Sequence, residues 1–381
     1  MIKILHLITD LQIGGAEIML LKLIGNMKKN KFTNVVVSLT DYGTIGSDIE
    51  RQGIKVYYLK MKRGLPNLSA FIKLFKVLKQ EKPDILQTWL YHADLMGSIA
   101  YIIYTILNNK AKLVWNIRCS DMDFQKYPKL TKLVVKACSR LSGIPEAVIV
   151  NSQAGRNAHQ NMGYRPKTWK VIPNGFDTDI FKPNPANKQT VRGEMGIDNT
   201  CFVIGMVARY DPMKDHKTFL EAAYLLNKNT NKKVKFILVG KGIDSNNVEL
   251  MKIIRNKGLE SQIYLLGERR DIPRIMSAFD LYTSSSRSEG FPNVIGEAMS
   301  CALPCIVTAA GDSAQIVGGA GKVVPIMDPI SLCRGWLDFI GMTPKEREII
   351  GEKARQRIID LFSLPSIVFQ YEKFYEEILL K

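Results

Sequence analysis

Paired cysteines are the first thing this 381-residue sequence lacks. Its six cysteines (Cys119, Cys138, Cys201, Cys301, Cys305 and Cys333) form no C-x-x-C pair and no zinc-like spacing, which argues against a thiol redox motif and a structural zinc site. Cys301 and Cys305 stand four apart, but Pro304 between them argues against a regular helix there. Buried free thiols in a cytoplasmic protein are the expectation. Long apolar runs are missing as well: the longest, Leu95–Leu107, has 13 residues, against the ~20 needed to span a bilayer. No secretory leader is expected, because Ile2–Ile8 reads as a strand running straight into a Gly-rich turn. That turn carries Gly14-Gly15 and not G-x-G-x-x-G, so the dinucleotide-binding fingerprint is absent. No repeat of about 20–50 residues and no low-complexity tract is present, which sets aside a solenoid.

Acidic residues are scarce relative to basic ones: 36 Asp+Glu against 53 Lys+Arg, a net charge of +17. Residues 1–180 alone hold 26 basic and 13 acidic residues, a net of +13. A basic N-terminal half suits an anionic partner, whether membrane surface, lipid phosphate or nucleic acid, although a solvated lysine-rich surface has the same composition. Two helices concentrate this charge. Ser69–Lys79 spaces Lys73, Lys76 and Lys79 by three, with Phe71, Phe75 and Leu78 on its apolar face, and Lys129–Arg140 places Lys129, Lys132, Lys136 and Arg140 roughly on one side.

Apolar strand-like runs alternate with helical patterns along the whole chain. Lys3–Thr9, Asn34–Leu39, Lys55–Leu59, Ile85–Trp89, Leu113–Ile117 and Ala147–Asn151 read as strands of one sheet, with Ser152 capping the helix that follows. Phe202–Val207, Lys235–Val239, Ile263–Leu265, Asp280–Tyr282 and Pro304–Val307 read as a second set, and helices over Pro344–Phe362 and Pro365–Leu380 close the chain. Such alternation predicts an α/β fold with two Rossmann-like, doubly wound parallel-sheet domains. The expected division is a domain over 1–180, a Pro/Asn-rich linker over 181–200 with a short helix near Val191–Met195, a domain over 201–362, and a final helix over 363–381.

Ligands of open α/β sheets bind beyond the carboxyl ends of strands, where this chain keeps its polar turns. The most informative is Tyr282–Ser300, in which Glu289 and Glu297 bracket a Gly290-Phe291-Pro292-Asn293 loop that opens a helix. A helix N-terminus favours anions, so this loop suits a diphosphate, with the carboxylates taking hydroxyls of attached sugars; a plain βα turn with two solvated glutamates is the other possibility. Arg209 and Lys214 stand in the turn after Phe202–Val207, Gly240 ends another strand, His92 follows Ile85–Trp89, and Arg118 follows Leu113–Ile117.

Taken together, the Glu289-x7-Glu297 pair, the Arg209…Lys214 turn, Gly14-Gly15-Ala16-Glu17 and Ile172-Pro173-Asn174-Gly175-Phe176-Asp177 resemble retaining glycosyltransferases of family 4, which have the GT-B fold. The resemblance covers nearly the whole chain. It implies two domains facing across a cleft, with closure hinged near Pro183 and at a last helix returning to the first domain. It implies that Arg209 and Lys214 neutralise the donor diphosphate, that Glu289 with the backbone of Gly290 and Phe291 holds the donor sugar, and that Glu297 takes the ribose. Gly14, Gly15, Gly240, Pro292, Asn293 and Val294 complete the implied donor site. His92 is implied to support the sugar or the acceptor, and Arg118, Lys129, Lys132 and Lys136 to meet acceptor phosphate or membrane. Asp94 and Asp121 are weaker candidates. The implied reaction moves a hexose or N-acetylhexosamine from a nucleotide sugar, with UDP expected, to a glycan or polyprenyl-diphosphate-linked sugar for surface polysaccharide, at the inner face of the membrane. No cofactor and no metal is expected; Asp121-Met122-Asp123 and Asp177-Thr178-Asp179 look like the D-x-D metal motif of another glycosyltransferase fold, but neither has that motif's surroundings. Two alternatives remain open at this point: a sugar-nucleotide epimerase of the same fold, and a non-catalytic binder of nucleic acid or another anion, although no basic-aromatic nucleic-acid motif is found.

Overall fold

The computed structural model describes residues 1–61, 68–118 and 128–380. They form two compact units, Met1–Gly175 with Leu364–Lys381, and Phe176–Ser363.

The first unit holds strands β1 (Ile2–Ile8), β2 (Phe32–Ser38), β3 (Lys55–Tyr58), β4 (Ile85–Trp89), β5 (Lys112–Ile117), β6 (Ala147–Val150) and β7 (Trp169–Val171). Helices α1 (Gly15–Asn26), α2 (Gly46–Arg51), α3 (Leu68–Glu81), α4 (Tyr91–Ile106), α5 (Lys129–Leu141) and α6 (Gln153–Asn161) connect them. The sheet runs β3-β2-β1-β4-β5-β6-β7, and its paired strands are parallel. Period-two alternation feeds two cores: Ile4, Ile8, Val36 and Trp89 on one face, and Leu5, Leu7, Val37 and Trp115 on the other. Both faces are covered by helices, which is why these strands read as unbroken apolar runs. On α3 the buried stripe is Ala70, Leu74, Val77 and Leu78; of the expected face, Leu78 is buried and Phe71 and Phe75 are partly buried at the margin of the core.

The second unit holds β8 (Phe202–Val207), β9 (Val234–Val239), β10 (Ile263–Leu265), β11 (Leu281–Ser284), β12 (Cys305–Thr308) and β13 (Lys322–Val324). Its helices are α7 (Pro185–Glu194), α8 (His216–Asn229), α9 (Val248–Asn256), α10 (Ile272–Met276), α11 (Asn293–Ser300), α12 (Ser313–Val317), α13 (Pro329–Gly341) and α14 (Pro344–Phe362). This parallel sheet runs β10-β9-β8-β11-β12-β13. The last helix, α15 (Leu364–Leu380), belongs to the first unit, where Ile367, Tyr371 and Tyr375 enter the core beside Trp89.

The division differs from the expected one. The first unit ends at Gly175, and residues 181–200 are part of the second unit and no free linker. The reason is α7: Asn184 caps it by accepting from the Asn187 amide at 3.1 Å, and Arg192 is buried on Asp280 at 2.7 Å. Strand β11 also runs two residues past the expected end. The Thr283 hydroxyl is buried and accepts from Trp336 Nε1 of α13 at 2.9 Å, so it needs no solvent. Neither α13 nor β13 was expected.

Candidate active site

Each sheet reverses its strand order once, between β1 and β4 and between β8 and β11. The carboxyl ends flanking such a reversal are where open α/β sheets bind ligands. In the second unit, Arg209 and Lys214 follow β8 and the Ser286–Glu289 segment follows β11, so the reversal brings them together.

The turn after β8 is built for rigidity. Asp211 accepts from the Met213 amide at 2.9 Å and caps the 3-10 turn Pro212–Lys214. Asp215 then takes a left-handed conformation, φ 50° and ψ 52°, which aspartate tolerates better than most residues. Its buried carboxylate caps α8 by accepting from the Thr218 amide at 3.3 Å, accepts from Thr218 Oγ1 at 2.7 Å and pairs with Arg287 Nε at 3.2 Å. Ser285 Oγ donates to the carbonyls of Lys214 and Asp215 at 3.0 and 3.1 Å. The Arg287 amide donates to the Met213 carbonyl at 2.8 Å. The two strand-end turns are therefore laced together around Lys214.

The functional groups sit on this lacing. Lys214 Nζ lies 2.5 Å from Glu289 Oε1, both largely buried, and Ser286 Oγ donates to the same oxygen at 2.7 Å. Arg209 is more open, its guanidinium 3.1 Å from Asp211. Next to them His216 is buried, and burial pushes its imidazole down to about 4. It is neutral at pH 7, so the turn's cations are Arg209 and Lys214. The Glu289 loop is held from β12: the Asp312 amide donates to the Gly290 carbonyl at 3.0 Å. Gly311 (φ 54°) approaches so closely that a Cβ there would lie 2.2 Å from the Glu289 carbonyl oxygen.

Phe291 stacks on Phe176 at 6.0 Å, and Val294 packs on the same core. The side chains of Phe291 and Val294 are thus turned inward. Pro292 precedes α11, whose N-terminus has no side-chain cap. Asn293 and Glu297 are half-buried one turn apart on that helix. Gly240 has a different reason to be glycine. Its φ is 150°, a Cβ would meet the Ala208 carbonyl oxygen at 2.2 Å, and its amide donates to the Gly267 carbonyl at 2.8 Å. Close packing of the β8 and β9 ends accounts for it.

In the first unit, Gly14 and Gly15 follow β1 and His92 follows β4, again at the reversal. Gly14 caps α1 in extended conformation. A Cβ added at Gly15 would meet nothing within 4 Å, so the protein itself does not demand glycine there. Gly15→Ala should leave the thermal midpoint unchanged or slightly raised, since alanine favours helix. If the space serves a ligand, kcat/KM for the donor falls at least about tenfold; steady-state kinetics beside a melting curve decides. His92 is half-buried in the first turn of α4, and burial lowers its pKa, so it is neutral.

Several other candidates turn inward. Asp94 is fully buried and accepts from Thr88 Oγ1 at 2.5 Å; burial raises its pKa well above the usual carboxylate value, against the Thr88 hydrogen bond, which lowers it. Arg118 donates to Asn116 at 3.3 Å, to Tyr371 Oη at 3.1 Å and to Asn174 Oδ1, and its guanidinium lies 5.6 Å over the Trp89 ring. That network ties α15 to β5. Lys129 and Lys136 are exposed on α5 and Lys132 is half-buried. Asp177 accepts from the amides of Asp179 and Ile180 at 3.1 and 3.0 Å, which makes Asp177-Thr178-Asp179 a turn. Asp121-Met122-Asp123 and Cys119 lie outside the described residues. Among those described, no group of three His, Cys, Asp or Glu side chains is placed to hold a metal ion, and Cys138, Cys201, Cys301, Cys305 and Cys333 are buried thiols.

Residues 13–180 match the family model for glycosyltransferase family 4, and residues 201–340 match that for glycosyl transferases group 1. The chain belongs to glycosyltransferase family 4. This family 4 enzyme is 27% identical to a UDP-Gal:alpha-D-GlcNAc-diphosphoundecaprenol alpha-1,3-galactosyltransferase of Escherichia coli, over 82% of this chain and 80% of the relative. It is 25% identical to an N,N'-diacetylbacillosaminyl-diphospho-undecaprenol alpha-1,3-N-acetylgalactosaminyltransferase of Campylobacter jejuni, over 70% of this chain and 71% of that one. Among solved structures it resembles Anabaena HepE in complex with UDP, with TM-score 0.83 and 25% identity, covering 99% of this chain and 100% of that chain. The GT-B fold expected for the glycosyltransferase is the one found.

Sequence spacing reached Arg209, Lys214, Glu289 and Glu297, but it gave no role to Asp215, Ser285, Arg287 or Gly311. The signal for Gly311 was present: Ala309-Ala310-Gly311-Asp312 is one more glycine-bearing turn after a strand. Nothing in the sequence marks Asp215 as left-handed.

Proposed function

We propose that this glycosyltransferase moves a hexosyl or N-acetylhexosaminyl unit from a UDP-sugar to a polyprenyl-diphosphate-linked saccharide, with retention of configuration, in surface-polysaccharide assembly. The observation that carries the proposal is the Lys214–Glu289 pair at the β8/β11 reversal, with Ser286 on the same carboxylate oxygen. A cation and a hydrogen-bond acceptor fixed side by side suit a sugar joined to a diphosphate, one taking phosphate oxygen and the other sugar hydroxyl. The two relatives' names support a UDP or lipid-diphosphate context.

In the proposed step, the bond between the anomeric carbon and the β-phosphate oxygen breaks while the acceptor hydroxyl adds from the same face. Its proton passes to the departing phosphate. Arg209 and Lys214 meet the charge that grows on that phosphate, the role a divalent ion plays elsewhere, and no metal is required. Glu289 orients the sugar and is not a nucleophile. The basic helices α3 and α5 fit an acceptor presented at an anionic membrane surface.

The test is incubation with a panel of nucleotide sugars and a short-chain polyprenyl-diphosphate N-acetylglucosamine, with and without chelator. The expected product is one α-linked sugar longer, with UDP released and no loss on chelation. An epimerised sugar nucleotide formed without acceptor, or a β-linked product, would overturn the proposal.

A further inference from the structure

Strand β4 ends in a backbone conformation that its residue resists. Leu90, between Trp89 and the first residue of α4, has φ 72° and ψ 156°. A Cβ makes that region costly, and glycine is almost the only residue that enters it freely. Asp215 also has positive φ, but its ψ of 52° keeps it in the left-handed helical region. The neighbours of Leu90 impose its conformation. Along a continuing strand, residues 89 and 91 would share a face. Here Trp89 packs in one core and Tyr91 in the other, so the residue between them has to reverse the alternation. Both neighbours are pinned. Trp89 Nε1 donates to His6 Nδ1 at 3.3 Å. His159 Nδ1 donates to the Gly155 carbonyl at 2.7 Å, which leaves its Nε2 to accept from Tyr91 Oη at 2.7 Å.

Glycine would take this conformation without strain, so the leucine side chain calls for a reason of its own. Packing within the unit does not supply one: among the described residues Leu90 joins neither core, and it is only half-buried. Its place in the fold is the carboxyl end of β4 at the β1/β4 reversal, two residues before His92 and on the strand paired with the one that leads to Gly15. The carboxyl ends at such a reversal are where a sheet of this kind holds ligand. The groups there suit an uncharged part of one. Burial lowers the His92 pKa, so its imidazole is neutral and exchanges hydrogen bonds with hydroxyls, while leucine offers only aliphatic surface. A pyranose matches both, since it presents hydroxyls together with an apolar CH face; a phosphate matches neither.

We propose that Leu90 is a specificity-determining residue: its backbone is held in a glycine-type conformation so that its side chain, at the carboxyl end of β4, packs on the apolar face of a substrate pyranose. The inference deepens the glycosyltransferase reading and rests on it for what carries that sugar, the donor nucleotide or the acceptor saccharide. The strain has its counterpart in this contact: conformational stability is given up at Leu90 for an interaction made only when sugar is bound.

Two substitutions separate the backbone from the side chain. Leu90→Ala removes the side chain beyond Cβ and keeps the strain; Leu90→Gly removes both. The glycine variant should melt above the alanine variant by roughly 3 °C, the reverse of the order at ordinary positions. Neither should fall more than about 5 °C below the unsubstituted chain. The contact itself is read without turnover. In a nuclear magnetic resonance spectrum of isotope-labelled leucine methyls, the Leu90 signals are those missing from the Leu90→Ala spectrum. A panel of nucleotide sugars, each against its nucleotide alone, and a short-chain polyprenyl-diphosphate N-acetylglucosamine are then added. An extra shift with a nucleotide sugar assigns the contact to the donor's pyranose, and a shift with the lipid-linked saccharide assigns it to the acceptor's. In transfer assays both variants should lose kcat/KM for that same substrate by about tenfold or more, and equally, despite their different stabilities. A chain that binds sugar and transfers none would fail the transferase reading and still show the methyl shift. Leu90 methyls that no added compound moves would overturn the inference. So would a glycine variant with the kcat/KM of the unsubstituted chain, or two variants that both melt more than about 5 °C lower, which would assign the side chain to the protein's own packing.

Discussion

Lys214→Ala lowers kcat/KM with the UDP-sugar by about a thousandfold, the scale of losing a preorganised group aimed at developing charge. Two features set this expectation. Lys214 Nζ is largely sheltered from water, its side chain 19% exposed against 57% for Arg209, and charge acts more strongly where solvent is excluded. Its backbone is also held by Ser285, while the left-handed Asp215 beside it is anchored by Arg287 and Thr218, so little reorganisation is needed when a phosphate arrives. Arg209→Ala should cost less, because its guanidinium is more open and paired with Asp211. A competing explanation is that the alanine variant merely strands the Glu289 carboxylate. The double variant Lys214→Ala, Glu289→Gln separates the two when UDP affinity is read, since UDP carries no donor sugar for Glu289 to orient: relief of a stranded charge would restore UDP binding, whereas loss of the phosphate's cation predicts no recovery.

Asp280→Ala is the largest expected effect on stability. Asp280 leads into β11, the strand that ends at the candidate site. Its carboxylate takes Lys188 Nζ and Arg192 Nη2, each at 2.7 Å, and the Val203 amide at 2.8 Å. Arg192 is almost fully buried. Removing one partner of a buried ion pair costs about 3–5 kcal/mol, which for a unit of this size lowers the thermal midpoint by roughly 10 °C. The acid dependence follows from the pKa. Burial alone would raise the Asp280 carboxyl, but the charges of Lys188 and Arg192 outweigh it and hold the group below its ordinary value. Its contribution is therefore present above the unfolded pKa of about 3.9 and is lost as pH falls through the lower folded value. Melting curves of both proteins should lie far apart at pH 7 and converge only below about pH 4. An equal gap at every pH would show that Asp280 acts by shape alone.

Much of this architecture was legible because parallel strands covered on both faces are written as apolar runs such as Ile85–Trp89 and Phe202–Val207, which the structure keeps residue for residue. Helix ends with a side-chain cap, such as Ser152 on α6, were legible for the same local reason. What escaped depends on contacts distant in sequence. The boundary at Gly175 is set by the chain's return through Phe176, whose amide donates to the Phe362 carbonyl at 2.8 Å, and by α7 clasping Asp280. Arg118 resembled a ligand-binding cation by position, yet three neutral acceptors and an indole occupy it. The turn around Gly311 was visible as a glycine after a strand, but its reason, the Glu289 carbonyl passing beside it, is a contact distant in sequence. At the candidate site, then, spacing in the sequence identified the charged groups, and only tertiary structure identified what holds them still.

The central claim is that Lys214 recognises the diphosphate of the donor. Calorimetric titration of UDP and of uridine into the unsubstituted chain and into Lys214→Ala tests it most directly. The expected result is UDP binding at least ~100-fold more tightly than uridine to the unsubstituted chain, with that preference falling below about tenfold in the variant and uridine affinity unchanged. A preference for UDP that survives the substitution intact would contradict the account.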